Sequence, residues 1–238
     1  MNNEIKSKII HIDGVENFRD LGGYPARAGK KIRYGKFFRA AALHTMTPKG
    51  KEDFNKLGIE YIVDLRSQVE REQDPENIDG LKGVTHVHVP MLDHLNSSLA
   101  GGVWEFPESM QAMYSDMLEA HKEEFKRLFE LFATATGGIV FHCTAGKDRT
   151  GVLTMLLYSL AGVENQLIAE DYSYSQHLLS YGGIEPPEGI PSYVNYTKPE
   201  YMRDTIAWLE ENYNGGIGYL ENIGISEETL RIVSKQLG

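Results

Sequence analysis

Apolar residues along the chain follow two spacings, one typical of strands and one typical of helices. Residues 59–65 and 139–142 are short runs rich in branched and aromatic apolar side chains, and residues 84–89 alternate valine with polar residues. These patterns predict three strands, the first and last of them buried. From residue 107 to 134, apolar positions recur every three or four residues, which predicts one long amphipathic helix or two helices in sequence.

Helix start and stop signals delimit further segments. Thr47 and Pro48 are typical of a helix cap and first helical position, and Gly58 is typical of a helix end. Helices are also predicted over residues 150–160, 164–179, 199–213 and 226–237. Strands that alternate with helices favour an α/β fold. We expect a central, mostly parallel sheet flanked by helices on both faces, with extra carboxyl-terminal helices, in one domain spanning residues 1–238.

Composition narrows the class of partner. The chain carries 24 basic and 34 acidic residues and a formal net charge of −10, which argues against nucleic acid as a partner and against stable membrane insertion. Residues 1–12 lack the apolar core of a signal peptide, and the longest apolar stretch, residues 152–163, is too short to span a bilayer. We expect a soluble protein, cytoplasmic or secreted after removal of a signal peptide, of unassigned oligomeric state.

A single cysteine, Cys143, excludes an intramolecular disulfide and a cysteine-based zinc site. A lone cysteine is usually a small buried hydrophobic residue. The surrounding segment changes that reading, because residues 142–151 read HCTAGKDRTG and join a predicted strand to a predicted helix. Cysteine and arginine are separated by five residues, at the kind of junction where loops bind anions.

This segment has the features of a phosphate-binding loop. A tight turn over Thr144, Ala145, Gly146 and Lys147 would point successive backbone N–H groups inward, and the following helix presents its positive end to the same place. Gly146 permits the turn. Arg149 would add two parallel hydrogen bonds to phosphate oxygens, which lysine cannot reproduce.

The same positive field favours the thiolate form of Cys143, a competent nucleophile, and Thr150 is placed to donate a hydrogen bond to the sulfur. Attack on a phosphomonoester would give a phosphocysteine intermediate, with the loop and Arg149 stabilising the transferring oxygens, and water would then hydrolyse it. This chemistry requires no metal or other cofactor.

These residues resemble a known family. HCTAGKDRTG is similar to the signature of the cysteine-based protein tyrosine phosphatase superfamily, and its Lys-Asp pair resembles the atypical bacterial branch with tyrosine and phosphoinositide phosphatase activity. That branch also has motifs similar to residues 17–24 (NFRDLGGY) and 63–66 (VDLR). The resemblance covers about residues 13–160, while the carboxyl-terminal third fits only in its general helical character. It implies a phosphatase acting on phosphotyrosine, with or without phosphoserine and phosphothreonine, or on phosphoinositides.

The leaving oxygen needs a general acid, for which there are two candidates. The resemblance places the acid within the loop, at Asp148. Many relatives instead use an aspartate on a separate loop, and Asp93 follows a predicted strand. We favour Asp148, with a bracing role for it as the alternative.

Four other charged residues receive weaker assignments. Lys147 would neutralise a second phosphate, as on a phosphoinositide head group, or would be a solvated lysine, and the sequence does not favour either. Asp64 and Arg66 are interpreted as a structural pair under the loop in preference to substrate ligands. Arg19 is interpreted as a support for the same edge of the sheet.

Two long irregular segments, residues 93–106 and 180–198, are candidates for a lid over the pocket, with Tyr193 or Tyr196 contributing. Two other functions remain as alternatives: a rhodanese-like sulfurtransferase and a catalytically silent phosphate-binding module. The Arg-Thr-Gly ending of the loop favours a phosphatase over the first. The presence of both Cys143 and Arg149 argues against the second.

Overall fold

A computed structural model of the chain describes residues 3–91, 106–186, 188 and 190–238. Its strands form one five-stranded sheet in the order β1-β2-β5-β3-β4. The neighbours β1 and β2 are antiparallel, and the other neighbouring pairs are parallel. The strands are β1 (Arg19–Asp20), β2 (Phe37–Ala40), β3 (Ile59–Asp64), β4 (Thr85–His88) and β5 (Gly138–His142). The predicted α/β class with a mostly parallel sheet is therefore confirmed.

Helices cover both faces of this sheet. Within the described ranges, none of them is long and apolar enough to cross a membrane. They are α1 (Asn3–Lys6), α2 (Pro48–Phe54), α3 (Gln68–Gln73), α4 (Met110–Ala120), α5 (Lys122–Thr134), α6 (Asp148–Ala161), α7 (Asn165–Tyr174), α8 (Pro199–Tyr213), α9 (Gly215–Asn222) and α10 (Glu227–Leu237).

Most predicted elements are found, with shifted ends. The three predicted strands are present as β3, β4 and β5, and Thr47 caps α2 by accepting a hydrogen bond from the backbone of Gly50 at 3.1 Å. Of the two alternatives predicted for residues 107–134, one long helix or two in sequence, the structure has two helices, because His121 leaves helical geometry at φ −116° and ψ 34°. The strands β1 and β2 and the helices α1, α3 and α9 were not predicted. β1 has two residues, β2 carries a buried arginine, and α9 contains three glycines.

The sheet separates two hydrophobic clusters. Along β5, Ile139 and Phe141 enter the larger cluster and Val140 enters the smaller one, as the two-residue period of a strand requires. The aromatic side chains of α5 pack on the first face, and Phe54 of α2 packs on the second. Because β5 lies at the centre of the sheet and is buried on both faces, the position of its carboxyl end is held firmly.

Candidate active site

The residue that follows β5 is Cys143, the predicted nucleophile, with 2% of its surface exposed. The strand ends beside it are level, since Ala40 of β2 and Asp64 of β3 both pair with His142. Residues 144–147 form a loop, and α6 begins at Asp148. The site therefore lies at the carboxyl edge of a parallel sheet, where such sheets bind their ligands.

Gly146 allows this loop to lie against the end of β2. Its φ of +64° is in the left-handed region, and a Cβ atom there would lie 2.2 Å from the carbonyl oxygen of Ala40. A side chain would need both strain and displacement of the strand, so the requirement for glycine at this position follows from geometry as well as from backbone conformation.

Three consecutive carbonyl groups of the loop are engaged from the side of β2. The backbone N–H of Ala42 donates to the oxygen of Thr144 at 3.0 Å, and Asn17 donates to the oxygens of Ala145 and Gly146 at 2.9 and 3.0 Å. In a trans peptide the N–H points opposite to the carbonyl. The N–H groups of residues 145–147 consequently face the other side of the loop, which forms an anion nest at the start of α6.

Arg149 is held by a carboxylate that the sequence analysis did not identify. Its two terminal nitrogens donate to the two oxygens of Glu70 on α3, each at 2.7 Å, and Nη1 also donates to the carbonyl of Met91 at 3.2 Å. Glu70 accepts further hydrogen bonds from the hydroxyl of Thr144 and the backbone of Ser67. Burial raises the pKa of Glu70, but the hydrogen bonds and charge of Arg149 outweigh burial and lower that pKa to about 2.

Asp148 lies in the first turn of α6, where the hydroxyl of Tyr114 donates to its Oδ1 atom at 2.6 Å. Burial, and then the charge of Asp148, raise the pKa of Tyr114 well above 10, so this hydroxyl remains a proton donor. Lys147 lies 3.5 Å from the same carboxyl oxygen and donates to the carbonyl of Val194. With 2% of its surface exposed, Lys147 is not the solvated lysine that was one of the two predicted alternatives.

Part of the second predicted lid segment lies close to this edge. Burial raises the pKa of Tyr181, and the charges of Asp148 and Cys143 raise it further. Tyr193 donates a hydrogen bond to the carbonyl of Pro107, and its neighbour Val194 is the partner of Lys147. The other lid candidate falls almost wholly outside the described residues, as does Asp93, the alternative general acid.

Thr150 does not make its expected contact. Its hydroxyl is buried and has no hydrogen-bond partner among the described residues, so the predicted bond to the sulfur of Cys143 is absent. The prediction of that bond is wrong for this conformation, although the side chain lies in the first turn of α6.

Asp64 and Arg66 lie together as a buried ion pair, with Nη2 of the arginine 2.9 Å from Oδ2 of the aspartate. Asp64 also belongs to a group with His86 and His142 whose potential ligand atoms lie within 4.8 Å of one another. Both oxygens of Asp64 already accept hydrogen bonds from Arg66, and Arg71 lies 3.3 Å from Oδ2. These two guanidinium groups would repel a cation, so the geometry suits an ion-pair network better than a metal ion.

Among the described residues, sequence reasoning missed three whose side chains hydrogen-bond to the loop or its arginine: Glu70, Asn17 and Arg39. Glu70 had a readable signal, because Ser67 and Glu70 form a capping box at the start of α3. Asn17 was quoted in a motif without a role. Arg39, whose Nη2 donates to the carbonyl of Gly146 at 2.8 Å, had no local signal, because its contact spans 107 residues of chain.

Comparison with known proteins relates the chain to phosphatases. Residues 10–237 match the model of a family described as the tyrosine phosphatase family. The chain is 29% identical over 229 residues to a tyrosine-protein phosphatase of Nostoc commune, covering 90% of this chain and 78% of the relative. It is 25% identical over 273 aligned positions to the triple specificity protein phosphatase PtpB of Mycobacterium tuberculosis, covering 93% of this chain and 96% of PtpB.

Among solved structures, a cysteine-to-serine variant of TpbA from P. aeruginosa in complex with pTyr is 14% identical to this chain. The match covers 73% of this chain and 86% of TpbA, with a TM-score of 0.37.

Glu70→Gln should change how the stability of the protein depends on pH. Glu70 has an ordinary pKa of 4.5 and a folded value of about 2, so its stabilising effect is complete above pH 4.5 and is lost as pH falls towards 2. The free energy of unfolding of the wild type should fall across that window by up to about 3 kcal/mol more than that of the variant. Urea denaturation at a series of pH values measures this difference.

The matched control is Glu72→Gln, which alters an exposed carboxylate on the same helix. The control should follow the wild type. Equal pH dependence in the wild type and Glu70→Gln would show that the ion pair with Arg149 does not stabilise the fold.

Proposed function

Since the chain belongs to the tyrosine phosphatase family, we propose that it hydrolyses phosphomonoesters through Cys143 and acts on phosphotyrosine in proteins. One arrangement carries the proposal. Cys143 is followed by a loop whose carbonyl groups at residues 144 to 146 are held by Ala42 and Asn17, so that the N–H groups of residues 145 to 147 point the opposite way, and Arg149 in the next helical turn is held by Glu70. Such a site binds a dianionic phosphoryl group directly in front of a nucleophile.

The reaction divides into two steps. The sulfur of Cys143 attacks phosphorus, the S–P bond forms as the P–O bond breaks, and Asp148 gives its proton to the leaving oxygen. A water molecule then attacks the phosphocysteine, Asp148 takes a proton from that water, and the sulfur leaves with the electron pair of the S–P bond. Inorganic phosphate and the free enzyme result, so atoms and charges balance.

The position of Asp148 supports its role as the general acid. Tyr114 holds one carboxyl oxygen in place, and Tyr114 is in turn hydrogen-bonded to Tyr172 at 2.6 Å. Because Tyr114 fixes the side chain of Asp148, the second carboxyl oxygen of Asp148 also has a fixed position next to the loop. A rigidly oriented acid is what proton transfer to a bound leaving group requires.

A side cleft supports a protein substrate over a multiply phosphorylated head group. The cleft has a volume of about 530 Å³ and adjoins the loop at Thr144. Its lining includes the hydrocarbon side chains of Ile12, Val15 and Ala42, the acidic residue Glu16 and two histidines, His11 and His44, but no lysine or arginine among the residues that the structure describes there. The cleft, as far as the structure describes it, therefore offers a second phosphate neither a lysine nor an arginine, whereas a side chain that flanks phosphotyrosine would fit its apolar lining.

Phosphoinositide hydrolysis is the second candidate, because the similar protein PtpB carries the name of a triple specificity phosphatase. Lys147, within the phosphate loop, is the candidate cation for binding a second phosphate of the head group. It donates to Val194 and lies beside Asp148, so it would have to leave the carbonyl before it could bind a second phosphate.

Phosphate release from a panel of substrates tests the proposal. The wild type in metal-chelating buffer should release phosphate fastest from phosphotyrosine peptides, more slowly from phosphoserine and phosphothreonine peptides and from phosphoinositides. Cys143→Ser should release none, since serine is not ionised at neutral pH. Sulfur transfer from thiosulfate should be undetectable. Phosphoinositides as the best substrates would favour the second candidate, and no release by folded wild type would contradict the proposal.

Asp148→Asn should slow the enzyme in a manner that depends on the leaving group. For phosphotyrosine peptides, kcat/KM should fall by about 10²–10⁴-fold because the phenolate must leave without a proton. For aryl phosphates with strongly acidic phenols, kcat/KM should change much less, because this constant extends only to the departure of the phenol and excludes the hydrolysis of the phosphocysteine. Steady-state kinetics on both substrates measures the two values of kcat/KM.

Tyr114→Phe is the matched control, since it loses the hydrogen bond but keeps the carboxyl group. It should retain more activity towards phosphotyrosine than Asp148→Asn. Equal losses of kcat/KM on both kinds of substrate in Asp148→Asn, together with leaving-group dependence of kcat/KM in Asp93→Asn, would assign the acid to Asp93.

A further inference from the structure

A buried charge cluster lies behind the phosphate loop, centred on Asp171 of α7. Asp171 is 1% exposed and is surrounded by three buried cations: Lys8 at 3.4 Å, Arg19 at 3.2 Å and Arg39 at 3.0 Å. Burial raises the pKa of Asp171, but the three cations outweigh burial and hold that pKa well below its usual range. The carboxylate therefore stays ionised and gives the cations their buried counter-charge.

Two chains of hydrogen bonds lead from Asp171 to the loop. In the first, Arg39 donates through Nη1 to Asp171 and through Nη2 to the carbonyl of Gly146 at 2.8 Å. In the second, Arg19 donates to Asp171 and to the side-chain oxygen of Asn17. Asn17 then donates to the carbonyls of Ala145 and Gly146. Both chains end on the same oxygen, that of Gly146.

The direction of these carbonyl groups decides what the substrate meets. While the oxygens of residues 145 and 146 point back towards Asn17 and Arg39, the N–H groups of residues 146 and 147 point to the phosphate side. A peptide group that turned over would present an oxygen to the phosphate and repel it. Arg39 directly, and Arg19 through Asn17, keep the peptide groups from turning over. They do so only while both guanidinium groups keep their positions at Asp171.

We propose that Asp171 is a positioning residue of the phosphate loop, which sets its affinity for oxyanions through Arg39 and through Arg19 and Asn17 without touching the substrate. The inference rests on the proposed function for the identity of the loop. Without the carboxylate, two neighbouring buried guanidinium groups repel each other, and at least one chain loses its hold on the oxygen of Gly146.

A purely structural role predicts a different result. Arg19 also donates to the hydroxyl of Ser175 at 3.1 Å, and Lys8 donates to the hydroxyl of Tyr158 at 2.9 Å, so the cluster joins α7 to the sheet and to α6. If the cluster only joined these elements, loss of Asp171 would lower the stability of the fold and leave the oxyanion affinity of folded molecules unchanged.

Asp171→Asn tests the inference, with tungstate as a phosphate analogue and isothermal titration calorimetry as the readout. Folded Asp171→Asn should bind tungstate at least about 10-fold more weakly than the wild type, or about 1.4 kcal/mol. Its kcat/KM for a small aryl phosphate should fall in parallel. The matched control is Glu170→Gln, which alters the neighbouring carboxylate and should bind tungstate as the wild type does. Unchanged affinity in folded Asp171→Asn would overturn the inference.

If Asp171→Asn does not fold, the inference is tested by variants that each break one of the two hydrogen-bond chains. Asn17→Asp keeps a residue suited to the positive φ of 57° at this position but removes the donor to the loop. Arg39→Lys keeps the charge but cannot reach Asp171 and Gly146 together. Each should weaken tungstate binding by about fivefold or more, and the double variant should lose less than the two effects combined, because both act on one oxygen. Wild-type affinity in both single variants would overturn the inference.

Tungstate binding needs no turnover, so failure of this inference is distinct from failure of the proposed function. A wild type that binds tungstate but hydrolyses no phosphomonoester would contradict the proposed function alone. Weakened binding in the variants would still support the positioning role of Asp171.

Discussion

The close approach of Gly146 to the carbonyl of Ala40 is the contact on which the site depends. Because no side chain fits between them, the loop lies directly on the end of β2. That position brings its carbonyl groups within reach of donors on β2 and on the segment before β1. The N–H groups are left to face the opposite side. The anion nest is therefore a consequence of how the loop rests on the sheet, and its shape does not depend on the substrate.

Two carboxylates on opposite sides keep the positive charges of the site in place. Glu70 holds Arg149 on the substrate side, and Asp171 holds Arg19 and Arg39 behind the loop. Asp171 is buried and Glu70 is partly buried, and both are ionised. Arg149, the partner of Glu70, and Arg39, a partner of Asp171, both hydrogen-bond to the loop. A chain with a net charge of −10 can in this way maintain a local positive field, since its buried acids pair with cations while its exposed acids are solvated.

The sequence was sufficient for those parts of the molecule whose causes are local. The strand before Cys143, the loop, the helix after it and the turn at Gly146 all follow from residues adjacent in the chain, whereas the contact of Gly146 with Ala40 does not. Contacts across long separations were not readable. Arg39 and its loop partner Gly146 are 107 positions apart in the chain, and Arg39 and Asp171 are 132 positions apart. Glu70 is an intermediate case, because its cap was local but its partner Arg149 was not. Lys147 shows the same limit, since only tertiary structure reveals that it is buried against Val194.

The proposed reaction requires Cys143 to carry the phosphoryl group during turnover. Rapid acid quenching of wild type mixed with a phosphotyrosine peptide, followed by proteolysis and mass spectrometry, detects this intermediate. We expect a phosphoryl group on the peptide that contains Cys143, at a level that rises within the first turnover. Active enzyme with no adduct on Cys143, or with the phosphoryl group on another residue, would contradict it.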